Sequence, residues 1–268
     1  MTETITIDNN ARQLHAKAWA EEYELIDRQL SPLGLRAMEE LRLGSAEAVI
    51  DLGCGTGQTL LQLAERVGRQ GVIVGVDIAE QLLRIAGQRT SGLECVRLIE
   101  ADAELLDLPS GSVDAIFSRF GVMSFGDPDA AFSNFHRLLK PEGRLAFCCW
   151  RPLRDNELDR FPLHSAGFQS PADETPFSFS DADYVRTVLA SAGFKDIAIT
   201  PYDEAVTSGD VVAMTRVLLS VGPLGKIARE NVSIKSAVEP KLREALAGLG
   251  DPSRVELVAS VWIVTARA

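Results

Sequence analysis

The segment AVIDLGCGTG, residues 48–57, constrains this chain more than any other. A short apolar run carries one carboxylate, Asp51, and then turns through Gly53, Gly55 and Gly57. The next ten residues, QTLLQLAERV, place Leu60, Leu63, Ala64 and Val67 on one helical stripe. A buried strand, a glycine turn and an amphipathic helix in that order open an α/β sheet, and the turn brings bare backbone close to a ligand. A dinucleotide, a phosphate and a nucleoside are the candidate ligands. A phosphate-cradling loop needs Gly-Lys-Ser/Thr, which is missing. A dinucleotide turn needs G-x-G-x-x-G, and here Gln58 stands where the third glycine belongs.

The same alternation runs down the chain. Further strands are expected at 71–78, 95–102, 113–120, 140–150, 194–202 and 255–267. Helices are expected at 58–67, 80–89 and 128–139, the last with Asp127 as its cap and Pro128 in its first turn. Another is expected at 184–192 behind a capping box at Ser180–Asp183. Residues 11–43 read as two helices broken at Pro32–Gly34. The pattern predicts an α/β, Rossmann-like, seven-stranded sheet, mostly parallel. No crossover helix is evident before the final strand, so that strand is expected to run antiparallel. Residues 151–179 and 205–254 interrupt the alternation after a strand's carboxyl end and are expected to form lid inserts. Together with an N-terminal helical cap at 1–43 they surround a cofactor-binding core at 45–150, all within one domain of 268 residues.

Charge narrows the partners. Thirty-eight acidic against 27 basic residues give a net charge of −11, which disfavours nucleic acid and anionic membrane surfaces. The N-terminal MTETITIDNN has neither the apolar run nor the basic flank of a secretion signal. Four cysteines, Cys54, Cys95, Cys148 and Cys149, lack zinc-site spacing and read as reduced thiols. A cytoplasmic location is expected, with no metal, and a homodimer is allowed for.

The strand ends carry the chemistry. Asp77 closes the second strand 20 residues beyond Gly57, where a carboxylate accepts from vicinal ribose hydroxyls. Asp102 closes the third, with the backbone of Ala103 beside it, suited to an exocyclic amine. Ser118, Arg119 and Phe120 form the exit of the fourth. VIDLGCGTGQ, GVDI, ADAELLDLPSGSVDAIFSRF and LLKPEGRLAFCCW together resemble the ordered motifs of class I S-adenosylmethionine-dependent methyltransferases, in the small-molecule branch similar to ubiquinone and menaquinone methyltransferases. The resemblance is close over 45–150 and looser over 194–202 and 261–267.

That resemblance implies S-adenosylmethionine as cofactor and a last strand inserted between the fifth and sixth. It implies that Gly53, Cys54, Gly55 and Gly57 form the loop under the methionine and ribose, and that Asp51 reaches the amino group directly or through water. Asp77 would hold the ribose, Ile78 pack on the adenine, Asp102 and Ala103 meet the adenine amine, and Ser118–Phe120 lie near the sulfonium. The chain departs from quinone-type relatives at Arg119–Met123, where they carry a Leu-Arg-Asn-like stretch.

The acceptor is less legible. His164, in RFPLHSAGF, is the base candidate in the expected lid. Trp19 is a candidate to close over the sulfonium, whose charge an aromatic face attracts. Trp19, Tyr23, Phe161, His164, Phe168, Phe177 and Phe179 concentrate in the three segments outside the alternation, which suits an apolar small-molecule acceptor. Two other readings stay open: a catalytically silent S-adenosylmethionine-binding partner protein, and an NAD(P)-dependent oxidoreductase.

Overall fold

A computed structural model describes residues 9–268; residues 1–8 of the expected cap, with most of the segment read for a secretion signal, lie outside the described residues. Seven strands form one sheet: β1 (Ala48–Leu52), β2 (Val72–Asp77), β3 (Val96–Glu100), β4 (Val113–Arg119), β5 (Leu139–Trp150), β6 (Lys195–Gly209) and β7 (Val255–Arg267). Their spatial order is β3-β2-β1-β4-β5-β7-β6. Only β7 runs antiparallel, paired with β5 on one side and β6 on the other. The inserted, reversed last strand is as expected from the sequence.

Alternation along the strands divides the core. Val49, Ile73, Ala115, Phe117, Ala146 and Cys148 face α1 (Asn9–Glu40), α2 (Gln58–Val67) and α3 (Glu80–Arg89). Ile50, Leu52, Val76, Ile116, Phe147 and Cys149 face α4 (Pro128–Leu138) and, further on, α6 (Ala182–Ser191). Successive residues of a strand point to opposite faces, so the adjacent Cys148 and Cys149 are buried in different layers. All four cysteines are free.

The sequence reading of α1 is corrected. Pro32 and Gly34 do not break it; one helix of 32 residues runs through both. A proline inside a helix costs about 3 kcal/mol. Burial of Ile26, Leu30, Leu33, Ala37, Met38 and Leu41 along one stripe outweighs that cost. Gly34 is needed for closeness: a Cβ there would stand 2.7 Å from Cδ of Arg119. A second correction concerns α6, whose cap is Asp181, accepting from the Asp183 amide at 2.9 Å, while Ser180 accepts from Trp262 through its carbonyl.

β6 extends well past the expected Tyr202. Beyond the end of β5 at Trp150, β6 and β7 go on pairing from Asp203 opposite Ser260 to Gly209 opposite Val255. This two-stranded ribbon overhangs the carboxyl edge of the sheet. Against it pack α1, α5 (Glu157–Ser165) and α7 (Val211–Leu218), with α8 (Gly222–Glu230) and α9 (Val232–Ala247) behind. Leu158, Leu163, Met214, Leu224, Leu242, Val255 and Leu257 are continuous with the core under α1. The expected inserts are therefore a packed layer at the carboxyl edge. No single helix among the described residues is long and apolar enough to cross a membrane.

Candidate active site

The glycine turn is built by three residues doing different things. Gly53, Gly55 and Gly57 have φ of 69°, 53° and 85°, in the left-handed region that favours glycine. A Cβ on Gly53 would stand 2.8 Å from Cα of Gly121, so β1 and the loop after β4 meet there backbone to backbone. A Cβ on Gly57 would stand 2.9 Å from that of Ala86, so this glycine lets α2 approach α3. At Gly55 a Cβ would meet nothing within 4 Å. Of the three, Gly55 is the one whose bare backbone faces open space.

Around it stand the strand-end carboxylates. Asp77 accepts from the Gly55 amide and the Ala79 amide, each at 2.9 Å, which fixes its orientation. Burial nevertheless raises its pKa. Ile78, next to Asp77, is 51% exposed, and Leu105, at the end of the turn that Asp102 caps, is 79% exposed. Asp102 caps the short turn Ala103–Leu105 by accepting from the Glu104 amide at 3.1 Å. Leu105 was missed by sequence reasoning, because only exposure distinguishes it from a core leucine.

Asp51 is fully buried. One carboxylate oxygen, Oδ2, accepts from the Thr59 hydroxyl; the other, Oδ1, has no partner. Burial pushes its pKa up to about 7, opposed by the Thr59 hydrogen bond and the Arg119 charge and reinforced by Asp77. An orphaned buried acceptor calls for a donor. The ammonium of a methionine moiety is such a donor. These residues fit S-adenosylmethionine.

The exit of β4 does two structural jobs. The Ser118 hydroxyl is buried, donating to the Leu52 carbonyl at 2.8 Å and accepting from the Gly121 amide at 3.1 Å, so it ties β4 to β1. Phe120, with φ of 60°, stacks on Trp150 at 4.1 Å between ring centroids. Arg119 turns toward α1: its guanidinium donates to Gln58 and stands 3.5 Å from Oδ1 of Asp27. Arg89 stands 2.8 Å from the other Asp27 oxygen, an ion pair whose angle falls short of a hydrogen bond. The same Arg89 donates to the Thr56 carbonyl at 3.0 Å and lies over the Tyr23 ring. Gln58 donates to the Asp27 carbonyl at 3.3 Å. Asp27 thus latches α1 to both sides of the glycine turn. No motif announces it, since its partners lie 62 and 92 residues away in sequence.

A methyltransferase family model, described as a methyltransferase domain, matches residues 43–192. The chain belongs to this family. It is 30% identical over 204 residues to malonyl-[acyl-carrier protein] O-methyltransferase of Methylovorus sp., covering 74% of this chain and 67% of that one. It is 27% identical over 193 residues to demethylmenaquinone methyltransferase of Staphylococcus epidermidis, covering 66% and 78%. The crystal structure of YcgJ from Bacillus subtilis matches with a TM-score of 0.59 at 18% identity, covering 88% and 97% of the two chains. The protein is a class I S-adenosylmethionine-dependent methyltransferase, and the oxidoreductase reading is set aside.

The lid residues separate in this methyltransferase. His164 is exposed on the last turn of α5. Phe179 is buried among Phe132 and Phe147 on the α4 face, away from the layer that holds Trp19, Phe161 and Phe168. Asp159 of α5, missed in the sequence, is buried and accepts from Asn156 at 2.7 Å. Burial alone raises its pKa to about 7. His15 and Trp19 share a face of α1, their ring centroids 5.8 Å apart. His15 keeps solvent access, yet desolvation and the charges of Arg229 and Lys226 pull its pKa down to about 4. A separate cleft of about 460 Å³ lies at the amino edge of the sheet, where Lys140 pairs with Asp114 and Arg144 with Glu47; it contains none of the residues expected to meet the cofactor.

Proposed function

We propose that the protein transfers a methyl group by in-line displacement to a small organic acceptor held between α1, the 151–179 segment and α8. The observation that carries this is a convergence. Asp173 of the second segment and Lys226 of the third stand 2.9 Å apart, and their charges, with that of Arg229, act on His15 of the first. These three segments are the ones that leave the sheet's alternation. When bound, S-adenosylmethionine supplies an electrophilic methyl on a sulfonium. The residues of this chain would do the rest by position. Asp77 and the Gly55 backbone would hold the ribose side, Asp51 the ammonium, and Ile78 and Leu105 would flank the adenine ring. The packed layer over the edge would exclude water and align the acceptor, which accounts for much of the acceleration of a displacement. The net charge of −11 supports a small molecule over a nucleic acid as acceptor, and four free cysteines support a cytoplasmic setting.

The test is a labelled-methyl transfer screen over a metabolite extract. Incorporation into a small-molecule product is expected. Cofactor binding without any incorporation would favour the catalytically silent binder instead. A narrower expectation concerns Asp77→Ala, which removes the acceptor for the ribose hydroxyls. It should weaken S-adenosylmethionine binding by about 1.5–3 kcal/mol, the worth of hydrogen bonds to a charged group. Calorimetry on the folded variant checks this, and an unchanged affinity would mean that the ribose is held elsewhere.

A further inference from the structure

We propose that the stacked rings of Phe120 and Trp150 face the sulfonium of the bound cofactor and raise the affinity for S-adenosylmethionine relative to its demethylated product. The proposal rests on the cofactor assignment given above and adds to it a pair of binding residues and a preference.

Strand order and covalent connectivity place the sulfur. It is bonded to the ribose on one side and to the amino-acid chain on the other. With the ribose at Asp77, the end of β2, and the ammonium at Asp51 in β1, the sulfur lies over the glycine turn that follows β1. The next strand beyond β1 is β4, and the one after that is β5. The exit of β4 lies directly against the turn. A Cβ on Gly53 would stand 2.8 Å from Cα of Gly121, and one on Gly121 would stand 3.0 Å from Cα of Gly53. Phe120 is the residue before that contact, and Trp150 is the last residue of β5. Both are half-buried, and both pack against the two core layers at once. A side chain that touches both layers sits at the rim of the sheet and not on either face. The pair therefore stands at the carboxyl edge beside the turn.

The backbone is bent to put it there. Phe120 has φ of 60°, a left-handed conformation that a bulky residue keeps only where its surroundings impose it. Its amide donates to the Cys148 carbonyl at 3.1 Å, and the following Gly121 amide donates to the Ser118 hydroxyl at 3.1 Å. The ring lies on Trp150 at 4.1 Å between centroids, with 18° between the planes. A sulfonium has no N–H or O–H to donate. What attracts its charge is a carboxylate or the negative face of an aromatic ring. Of the carboxylates around the turn, Asp51 is assigned to the ammonium, Asp77 to the ribose, and Asp27 is paired with Arg89 and Arg119. The rings of Phe120 and Trp150 remain for the sulfonium. Transfer of the methyl leaves a neutral thioether, which loses this attraction and keeps the other contacts.

Calorimetry on the full chain compares S-adenosylmethionine with S-adenosylhomocysteine in the wild type, Trp150→Leu, Phe120→Leu and Trp19→Leu. At positions 150 and 120 the loss of affinity is expected to be about threefold to tenfold larger for S-adenosylmethionine than for S-adenosylhomocysteine, the range of one cation–π contact. Trp19→Leu should weaken the two alike. Equal losses of both ligands at 120 and 150, or a selective loss in Trp19→Leu alone, overturn the proposal. Incorporation of 5-fluorotryptophan gives a second measurement with little change of shape, because fluorine draws charge from the ring face. It should lower the ratio of S-adenosylmethionine to S-adenosylhomocysteine affinity in the wild type and leave that ratio unchanged in Trp150→Phe. A wild-type ratio unmoved by fluorination overturns the proposal even if the leucine variants fail to fold. A wild-type protein that binds neither ligand would refute the cofactor assignment itself, and the proposal with it, an outcome that no shift in the ratio can mimic.

Discussion

Replacing Asp27 by alanine is expected to destabilise the protein by about 3–5 kcal/mol, the cost of removing one partner of a buried ion pair. Arg119 and Arg89 would then face each other with no carboxylate between them, one almost wholly buried and the other about one-fifth exposed. For a chain of this length such a loss lowers the melting temperature by roughly 10 °C. The latch also joins α1 to the glycine turn through Gln58 and Thr56. Cofactor affinity should therefore fall with stability, although Asp27 is not one of the residues assigned to the cofactor. Thermal unfolding and calorimetry measure the two effects. Removing the more buried of the two opposing charges as well, as Asp27→Leu with Arg119→Met, should recover part of the stability, because a well-packed apolar pair often replaces a buried ion pair without loss, while Arg89 keeps its hydrogen bond to the Thr56 carbonyl. A single variant that melts like the wild type would show that α1 is held by apolar packing alone.

The second large effect is at Asp51 and depends on pH. Its pKa in the cofactor-free fold is about 7, against 3.8 for the unperturbed group, so the folded state prefers the protonated form. The associated stability is fully present below 3.8 and is lost as pH rises through 7, on the order of 4 kcal/mol in total. Asp51→Asn keeps the shape without the charge, so it should make the empty protein more stable at pH 8 and little different at pH 4. Cofactor binding should move the other way. An ammonium favours the carboxylate, so binding must take the proton off, and affinity should weaken by up to tenfold per unit as pH falls from 7 to 5.5. The raised pKa of Asp77 acts in the same direction. In Asp51→Asn the affinity should be low and the slope reduced to what Asp77 contributes. Calorimetry with S-adenosylhomocysteine from pH 5.5 to 8.5 checks this; a flat profile in the wild type would show that Asp51 meets no cation.

The parts of this fold legible in the sequence are those where one interaction dominates. β1, β2, β4 and β5 are buried on both faces, so their apolar runs are nearly continuous and their limits come within a residue or two of the strands formed. Helices α2 and α3 have the limits expected from their amphipathic stripes. α1 was misjudged because a local rule about proline was applied where tertiary burial decides. β6 was cut short because beyond Tyr202 it runs DEAVTSG, with alternate residues exposed on an edge strand, and lacks the apolar run that marks a central one. The residues assigned to the cofactor fall within one continuous motif per strand end. The Asp27 latch and the His15, Asp173, Arg229 cluster are assembled from single polar residues far apart in sequence, each an ordinary surface residue until the chain folds.

The overhanging ribbon of β6 and β7 has a consequence for how such a protein can change. The layer over the sheet edge is mounted on two strands that continue out of the sheet itself, and Arg151 fastens its root by contacting Asp203 at 2.9 Å and lying over Trp262. The helices proposed to meet the acceptor are thus set in height and tilt by strand pairing, which depends little on side-chain identity. Segments 151–179 and 210–254 can then be exchanged between relatives as interchangeable parts, with the ribbon as a common mount and residues 46–150 left untouched. A graft that keeps the pairing from Asp203 to Gly209 should inherit the donor's acceptor and keep the recipient's cofactor affinity.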